Sequence, residues 1–287
     1  MSGPLAALAA VSPRAAARVA APLIGVVGRR IAVRPEELPT MDDAARSTIT
    51  VRGRRVAVYE WGTGPQIVLL VHGWRGRAAQ FASLVRELRS AGYRVVAFDA
   101  PGSGESEGRT TDLGDMLEAQ RLLQARYGAF AGVVGHSFGT LAVLAAVHEG
   151  LASRRVVGVA SIPDAATIFA ESAARFGLDD RTLELVTERF QARRFPDSAP
   201  LRERFSGLTN PVTVPALFVH DRTDLAVPAT ASEALQAAHP GSRLVLTDGY
   251  GHSRLLTADA TLDAVVEFLG APITAPESAV AELDPVE

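Results

Sequence analysis

Residues 133–146 read VVGHSFGTLAVLAA, and they set one serine between two glycines where one apolar run gives way to another. Gly135-His136-Ser137-Phe138-Gly139 fits the pattern G-x-S-x-G. A serine hydroxyl attacks a carbonyl only when a base removes its proton and the backbone lifts it clear of its surroundings. A turn of this composition between a strand and a helix meets the second need. It holds the serine in a strained conformation, and the flanking glycines leave room where Cβ atoms would strike the neighbouring strand and helix. The helix that begins at the serine aims free N–H groups and the positive end of its dipole at any anion forming there. The chemistry implied is nucleophilic acyl transfer, with Ser137 as the attacking group. The competing reading is a small residue at a strand–helix junction. Acyl transfer needs a base, and the chain offers six histidines, at 72, 136, 148, 220, 239 and 252.

Composition removes other chemistries. Cysteine is absent, so thiolate catalysis, disulfides and cysteine-based metal sites are excluded. All 29 basic residues are arginine, which removes lysine as a Schiff-base or general-base candidate. The net charge of −3 gives no basic field, and no basic stripe carries interleaved aromatics, so nucleic acid is not an expected partner. The 47% hydrophobic content allows a sizeable core. No window of about 20 residues is apolar and unbroken enough for an integral membrane span.

The elements that must position the serine alternate along the chain. Residues 47–62 read as a β-hairpin turning at Arg52 and Gly53, and 66–73 (QIVLLVHG) as a buried strand. A helix over 78–90, a strand over 93–100, a helix over 112–127, the strand 131–137 and a helix over 138–149 follow, then a strand at 156–162. Residues 164–210 break the rhythm and read as helices alone. Alternation resumes with a strand at 214–221, a helix near 230–238, a strand at 242–249 and a helix over 258–269. Repeated strand–helix units predict a mostly parallel central sheet flanked by helices. A helical insertion after one strand would form a small cap over the sheet's carboxyl edge, where open α/β sheets bind ligands.

The expected organisation is an N-terminal helical segment (1–46), an α/β core in two parts (47–163 and 213–270), the cap (164–212) and a Pro-rich, acidic, disordered tail (271–287). Within the first segment, residues 5–30 read as an amphipathic helical stretch with Leu8, Val11, Val19, Leu23 and Val27 on one face. It is read as lying on the domain. Docking to a membrane surface or a partner is the alternative. No basic n-region precedes Leu5, so export is not expected and the cytoplasm is the expected compartment.

With the HGW loop at 72–74, the loop DAPGSGES at 99–106 and D-x-x-V-P at Asp224, Val227 and Pro228, the serine turn resembles the α/β-hydrolase family over about residues 48 to 270. The segments VAVYEWG, LLVHGWRGRAAQF and VVAFDAPGSGES are similar to bacterial α/β-fold hydrolases whose substrates are undefined. The resemblance implies a Ser–Asp–His triad in that chain order. By it the base is His252, in DGYGHSRLL between the last strand and the last helix, and the acid is Asp224. Asp221, which ends its strand, is read as binding loop backbone, and Asp164 is a lesser candidate acid. The resemblance also implies an oxyanion hole from the N–H groups of Phe138 and Trp74. The side chains of those two residues, with His72 and Gly73, are expected beside substrate. His72 and His136 otherwise read as parts of the structural signatures, His220 as packing, and His148 and His239 as solvated or capping. No cofactor and no metal is called for.

The expected activity is hydrolysis of carboxylic esters with small to medium apolar acyl groups, shaped by cap residues such as Phe169, Phe176, Phe190 and Phe195. Thioester, lactone or carbon–carbon bond hydrolysis by the same triad, and a non-catalytic ligand-binding protein on the same scaffold, are the alternatives.

Overall fold

A computed structural model describes residues 3–272. Three short helices come first, α1 (Pro4–Val11), α2 (Pro13–Ala20) and α3 (Leu38–Asp42). Strand β1 (Ala45–Val51) then folds back on β2 (Arg54–Trp61) through Arg52 and Gly53, both at positive φ (46° and 77°). Such a two-residue turn matches the twist of the paired strands. Six further strands are laid down in parallel: β3 (Ile67–Val71), β4 (Arg94–Phe98), β5 (Gly132–His136), β6 (Val156–Val159), β7 (Ala216–Asp221) and β8 (Arg243–Thr247). The eight-stranded sheet runs in the order β1-β2-β4-β3-β5-β6-β7-β8.

That order contains the feature that places a site. From β3 the chain moves to one side to form β4 and then returns to the other side to form β5. The carboxyl ends of β3 and β5 therefore flank a topological switch, where crossing helices leave opposite faces and open a crevice. The HGW loop follows β3, and Ser137 follows β5.

Helices cover both faces: α4 (Ala82–Ser90), α5 (Leu113–Tyr127), α6 (Phe138–His148), α10 (Thr230–Ala238) and α12 (Asp259–Gly270). Between β6 and β7 lie α7 (Ala165–Phe176), α8 (Asp180–Arg194) and α9 (Leu201–Arg204), and a single turn, α11 (Gly251–Arg254), follows β8. Strand alternation divides the core in two. Leu69, Val71 and Val133 pack with Met116 of α5 and Leu141 of α6, whereas Val68, Leu70 and Val134 pack with Leu84 of α4 and Phe268 of α12. No described helix is long and apolar enough to cross a membrane.

The N-terminal stretch departs from the single amphipathic helix expected over residues 5–30. It breaks at Ser12, whose hydroxyl accepts from the Ala15 N–H, and Pro13 begins a second helix at a position where the missing N–H costs nothing. The buried face also departs from the expected one, of which Val27 alone is buried. Ala16, Ala17, Ala20, Ile24 and Val27 are buried, while Val11, Val19 and Leu23 are exposed. Small alanines let α2 approach α8 closely. All but residues 271 and 272 of the segment read as a disordered tail lie outside the described residues.

Candidate active site

Ser137 holds φ 56° and ψ −120°, a region that costs a non-glycine residue on the order of 1–3 kcal/mol. The surroundings enforce it. The Ser137 N–H donates to the Val159 carbonyl (2.9 Å), and its own carbonyl accepts from Thr140 N–H (2.9 Å). The Thr140 hydroxyl donates to the Gly135 carbonyl (2.9 Å). The glycine positions of the motif have steric reasons. A Cβ on Gly139 would lie 2.1 Å from the Val71 carbonyl oxygen, and one on Gly135 would lie 2.5 Å from Thr140 Cα. Gly73 is likewise pressed against the turn, where a Cβ would lie 2.9 Å from the His136 carbonyl oxygen.

Behind the serine, α6 opens with the Phe138 N–H, and the loop after β3 presents the Trp74 N–H. Among the described residues neither has a hydrogen-bond acceptor. The Trp74 and Phe138 rings meet edge-to-face, with centroids 5.5 Å apart. Both side chains line a cavity of about 280 Å³ together with Ser137 and His252. His72 and Gly73, expected beside substrate, sit behind this wall instead. The His72 ring is fully used, donating from Nδ1 to the Gly73 carbonyl (2.8 Å) and accepting at Nε2 from Ala100 N–H (2.8 Å). Gly73 has no side chain, and its backbone packs on the serine turn.

His252 is carried by α11, and its Nδ1 lies 2.7 Å from Asp224 Oδ2. The other Asp224 oxygen accepts from the N–H groups of Ala226 (2.8 Å) and Val227 (3.0 Å). Burial pushes the Asp224 carboxyl up, but hydrogen bonds from His220, His252 and the Val227 N–H outweigh it and hold the group well below the usual carboxylate range. Among the described residues no hydrogen bond joins the Ser137 hydroxyl to the His252 ring. Such contacts are often long without substrate and tighten when it binds.

Asp221 binds the loop that brings in His252. Its carboxylate accepts from Thr223, from the Thr247 hydroxyl (2.8 Å), and from the N–H groups of Tyr250 (3.1 Å) and Gly251 (3.0 Å). Asp164 caps α7 through the Thr167 N–H (2.8 Å) and lies outside this cluster.

His220 is more than the packing residue expected from the sequence. It is fully buried, and its Nε2 lies 3.0 Å from the Val227 carbonyl and 3.3 Å from Asp224 Oδ2. A carbonyl can only accept, so Nε2 carries the proton and Nδ1 accepts from the Ser232 hydroxyl (2.7 Å). The signal was present: a histidine inside the continuous apolar strand ALFVH must find partners for both ring nitrogens. His148 is exposed, while His239 is buried and donates from Nδ1 to the Leu235 carbonyl (2.8 Å).

His136 adjoins Ser137, yet its Nε2 faces the His252 carbonyl (3.0 Å). Burial first, and the neighbouring His252 second, push its pKa down to about 3 from an ordinary 6.5. The ring therefore stays neutral in the fold, while the unfolded chain takes up a proton near pH 6.5. Stability from this residue is complete above that pH and is lost as pH falls from about 6.5 toward 3. Thermal unfolding followed from about pH 7 down to about pH 4 is expected to show a steeper loss of Tm in the wild type than in His136→Asn. Equal slopes would remove His136 from the acid response.

The cavity's apolar lining comes largely from the helices between β6 and β7, including Ile168, Phe169, Phe176, Phe190 and Phe195. Glu171 and Arg175 of α7 also line it, and burial raises the Glu171 carboxyl despite the opposing effect of His252. Leu23, Ile24 and Gly25 of the N-terminal segment complete the wall, a contribution the sequence did not disclose. Among the described residues no group of three or more His, Asp or Glu side chains could hold a metal ion.

The sheet, the serine turn and the order of these residues define a class that sequence comparison supports. The model of the alpha/beta hydrolase family matches residues 68–267, and the chain belongs to that family. It is 28% identical, over 237 residues, to the pimeloyl-[acyl-carrier protein] methyl ester esterase of Nitrosomonas europaea, a match covering 68% of this chain and 92% of the relative. Among solved structures, an esterase of Pyrococcus furiosus superposes with a TM-score of 0.61 at 20% identity, over 85% of this chain and 97% of the other. A bromoperoxidase of Bacillus anthracis gives 0.61 at 20% identity, over 78% and 99%. At such identity the two structures speak for the fold alone.

Proposed function

We propose that the protein is a serine hydrolase that cleaves carboxylic esters through an acyl-enzyme. The observation that carries this reading is the 2.7 Å contact between His252 Nδ1 and Asp224 Oδ2, in a histidine that shares one cavity with the strained Ser137. With Nδ1 bound to the carboxylate, Nε2 is the nitrogen left to serve the serine. In the first half-reaction His252 Nε2 takes the hydroxyl proton as Ser137 Oγ bonds to the carbonyl carbon. The oxyanion is received by the N–H groups of Phe138 and Trp74, each donor contributing roughly 3 kcal/mol to the transition state. His252 returns the proton to the leaving alcohol as the carbon–oxygen bond breaks. In the second half-reaction water attacks the acyl-enzyme, giving its proton to His252, and the acid leaves as Ser137 is regenerated.

The helices between β6 and β7 act as a cap in this reading. Their phenylalanines and the Trp74 and Phe138 rings make the acyl side of the cavity apolar, which favours small to medium aliphatic acyl groups. The ester-cleaving relative from Nitrosomonas europaea supports the reaction type.

The test is a panel of p-nitrophenyl esters of increasing acyl length, assayed beside a lactone and an acyl thioester. Turnover of the esters is expected to exceed that of the other two. A thioester or lactone preferred by an order of magnitude or more would replace the ester assignment, and inertness toward the whole panel would favour a ligand-binding role.

A further inference from the structure

The N-terminal segment lies outside the residues matched by the family, yet it is built into the catalytic cavity. After α2 the chain runs as a strap along the loop that precedes α5. Gly25 accepts from the Thr111 N–H (2.9 Å), Val26 bridges Thr110, and the Val27 N–H donates to the Arg109 carbonyl (3.0 Å). Further on, the Arg30 guanidinium donates to the carbonyls of Ser106 (2.6 Å) and Gly104 (3.1 Å). On its other side α2 is seated on α8, and α8 is tied to the core by Arg194, whose Nε donates to Asp112 (2.5 Å). The strap is thus fixed at both borders and forms a wall.

On the far side of that wall lies a second cleft, of about 440 Å³, edged by Arg18, Arg189 and Arg193. The cavity and the cleft share Ile24, Gly25, Thr111, Asp112 and Phe190. Within the strap, Ile24 is the residue whose bulk can act as a stop. It is buried, whereas Leu23 is 40% exposed. Gly25 contributes backbone only, at φ 113°, with a hypothetical Cβ 3.1 Å from the Thr111 carbonyl oxygen. That close approach, which glycine permits, brings the strap against the core and leaves Ile24 to fill the partition.

We propose that the strap measures the acyl chain, with Ile24, backed by Phe190, as the stop that closes the cavity from the arginine-edged cleft. The proposal rests on the ester-hydrolase reading above. It also predicts how apolar chains bind, which can be measured without turnover. Each methylene buried in the cavity strengthens binding by about fourfold, until the chain meets the stop.

Two measurements are made on wild type, Ile24→Ala and Ile24→Trp: kcat/KM over p-nitrophenyl esters from about two to about twelve acyl carbons, and calorimetric affinity for straight-chain fatty acids of the same lengths. Alanine removes about three carbon groups. The expected result is that the preferred length moves up by two or three carbons in Ile24→Ala and down in Ile24→Trp. The long-to-short ratio then changes by about tenfold or more in opposite directions. Unchanged preferred lengths in both variants, with native circular dichroism, would overturn the proposal. If wild type cleaves no ester but the preferred fatty acid moves with residue 24, the hydrolase reading falls and the strap's role stands. Should Ile24→Ala fail to fold, Ile24→Val and Ile24→Phe make the same comparison in smaller steps.

Discussion

Ser137→Ala is expected to lower kcat by about four to six orders of magnitude and to abolish covalent labelling by a fluorophosphonate. In the proposed mechanism, replacing the hydroxyl removes the atom that forms the acyl-enzyme. Of the titratable groups nearest the turn, His136 faces the His252 carbonyl and Asp221 is occupied by the loop before His252. In that mechanism the residual rate over water is what the Phe138 and Trp74 N–H groups and substrate binding would still provide. Native circular dichroism is expected, because alanine can be held at the same backbone angles by the same contacts from Val159 and Thr140. A variant that keeps near wild-type turnover, or still takes up the probe at another residue, would remove Ser137 from the chemistry.

The serine turn and the parallel sheet were legible because their signals are local. G-x-S-x-G between two apolar runs carries its own steric logic, and the Cβ clashes at Gly135 and Gly139 arise from residues within the motif or in the adjoining strand. Strand β3 is buried on both faces and reads as an unbroken apolar run. What escaped depends on contacts between distant segments. Leu23 and Ile24 reach the cavity because α2 rests on α8 and the strap bonds to residues 109–111, a relation with no periodicity to reveal it. The expected apolar face of that segment was also misjudged. Hydropathy ranks valine and leucine above alanine, whereas close helix packing here selects the small residues Ala16, Ala17 and Ala20. His72 was placed beside substrate by its position in the HGW loop. Its orientation is set instead by the Ala100 N–H, 28 residues away in the chain.

Asp224→Asn is expected to lower kcat by about four orders of magnitude with little change in KM, a loss set by the hydrogen-bond count around the carboxylate. All four groups that meet it are donors: Ala226 and Val227 N–H at Oδ1, and His252 Nδ1–H and His220 Nε2–H at Oδ2. An asparagine must set its NH2 against one of these pairs. Turned toward Oδ1, it confronts two backbone donors that cannot change. Turned toward Oδ2, it confronts two rings, of which His220 is locked as an Nε2 donor by the Val227 carbonyl and the Ser232 hydroxyl. His252 is then the group that yields. It becomes the tautomer that accepts at Nδ1 and bears its proton on Nε2, so it can no longer take the proton of Ser137. Replacing His220 by leucine as well relieves one of the two opposing donors. The double variant therefore separates the two causes. If asparagine fails by imposing the wrong tautomer on His252, Asp224→Asn with His220→Leu regains part of the folding stability but none of the turnover. If turnover returns with stability, the tautomer argument is wrong, and Asp224 serves only to hold the loop.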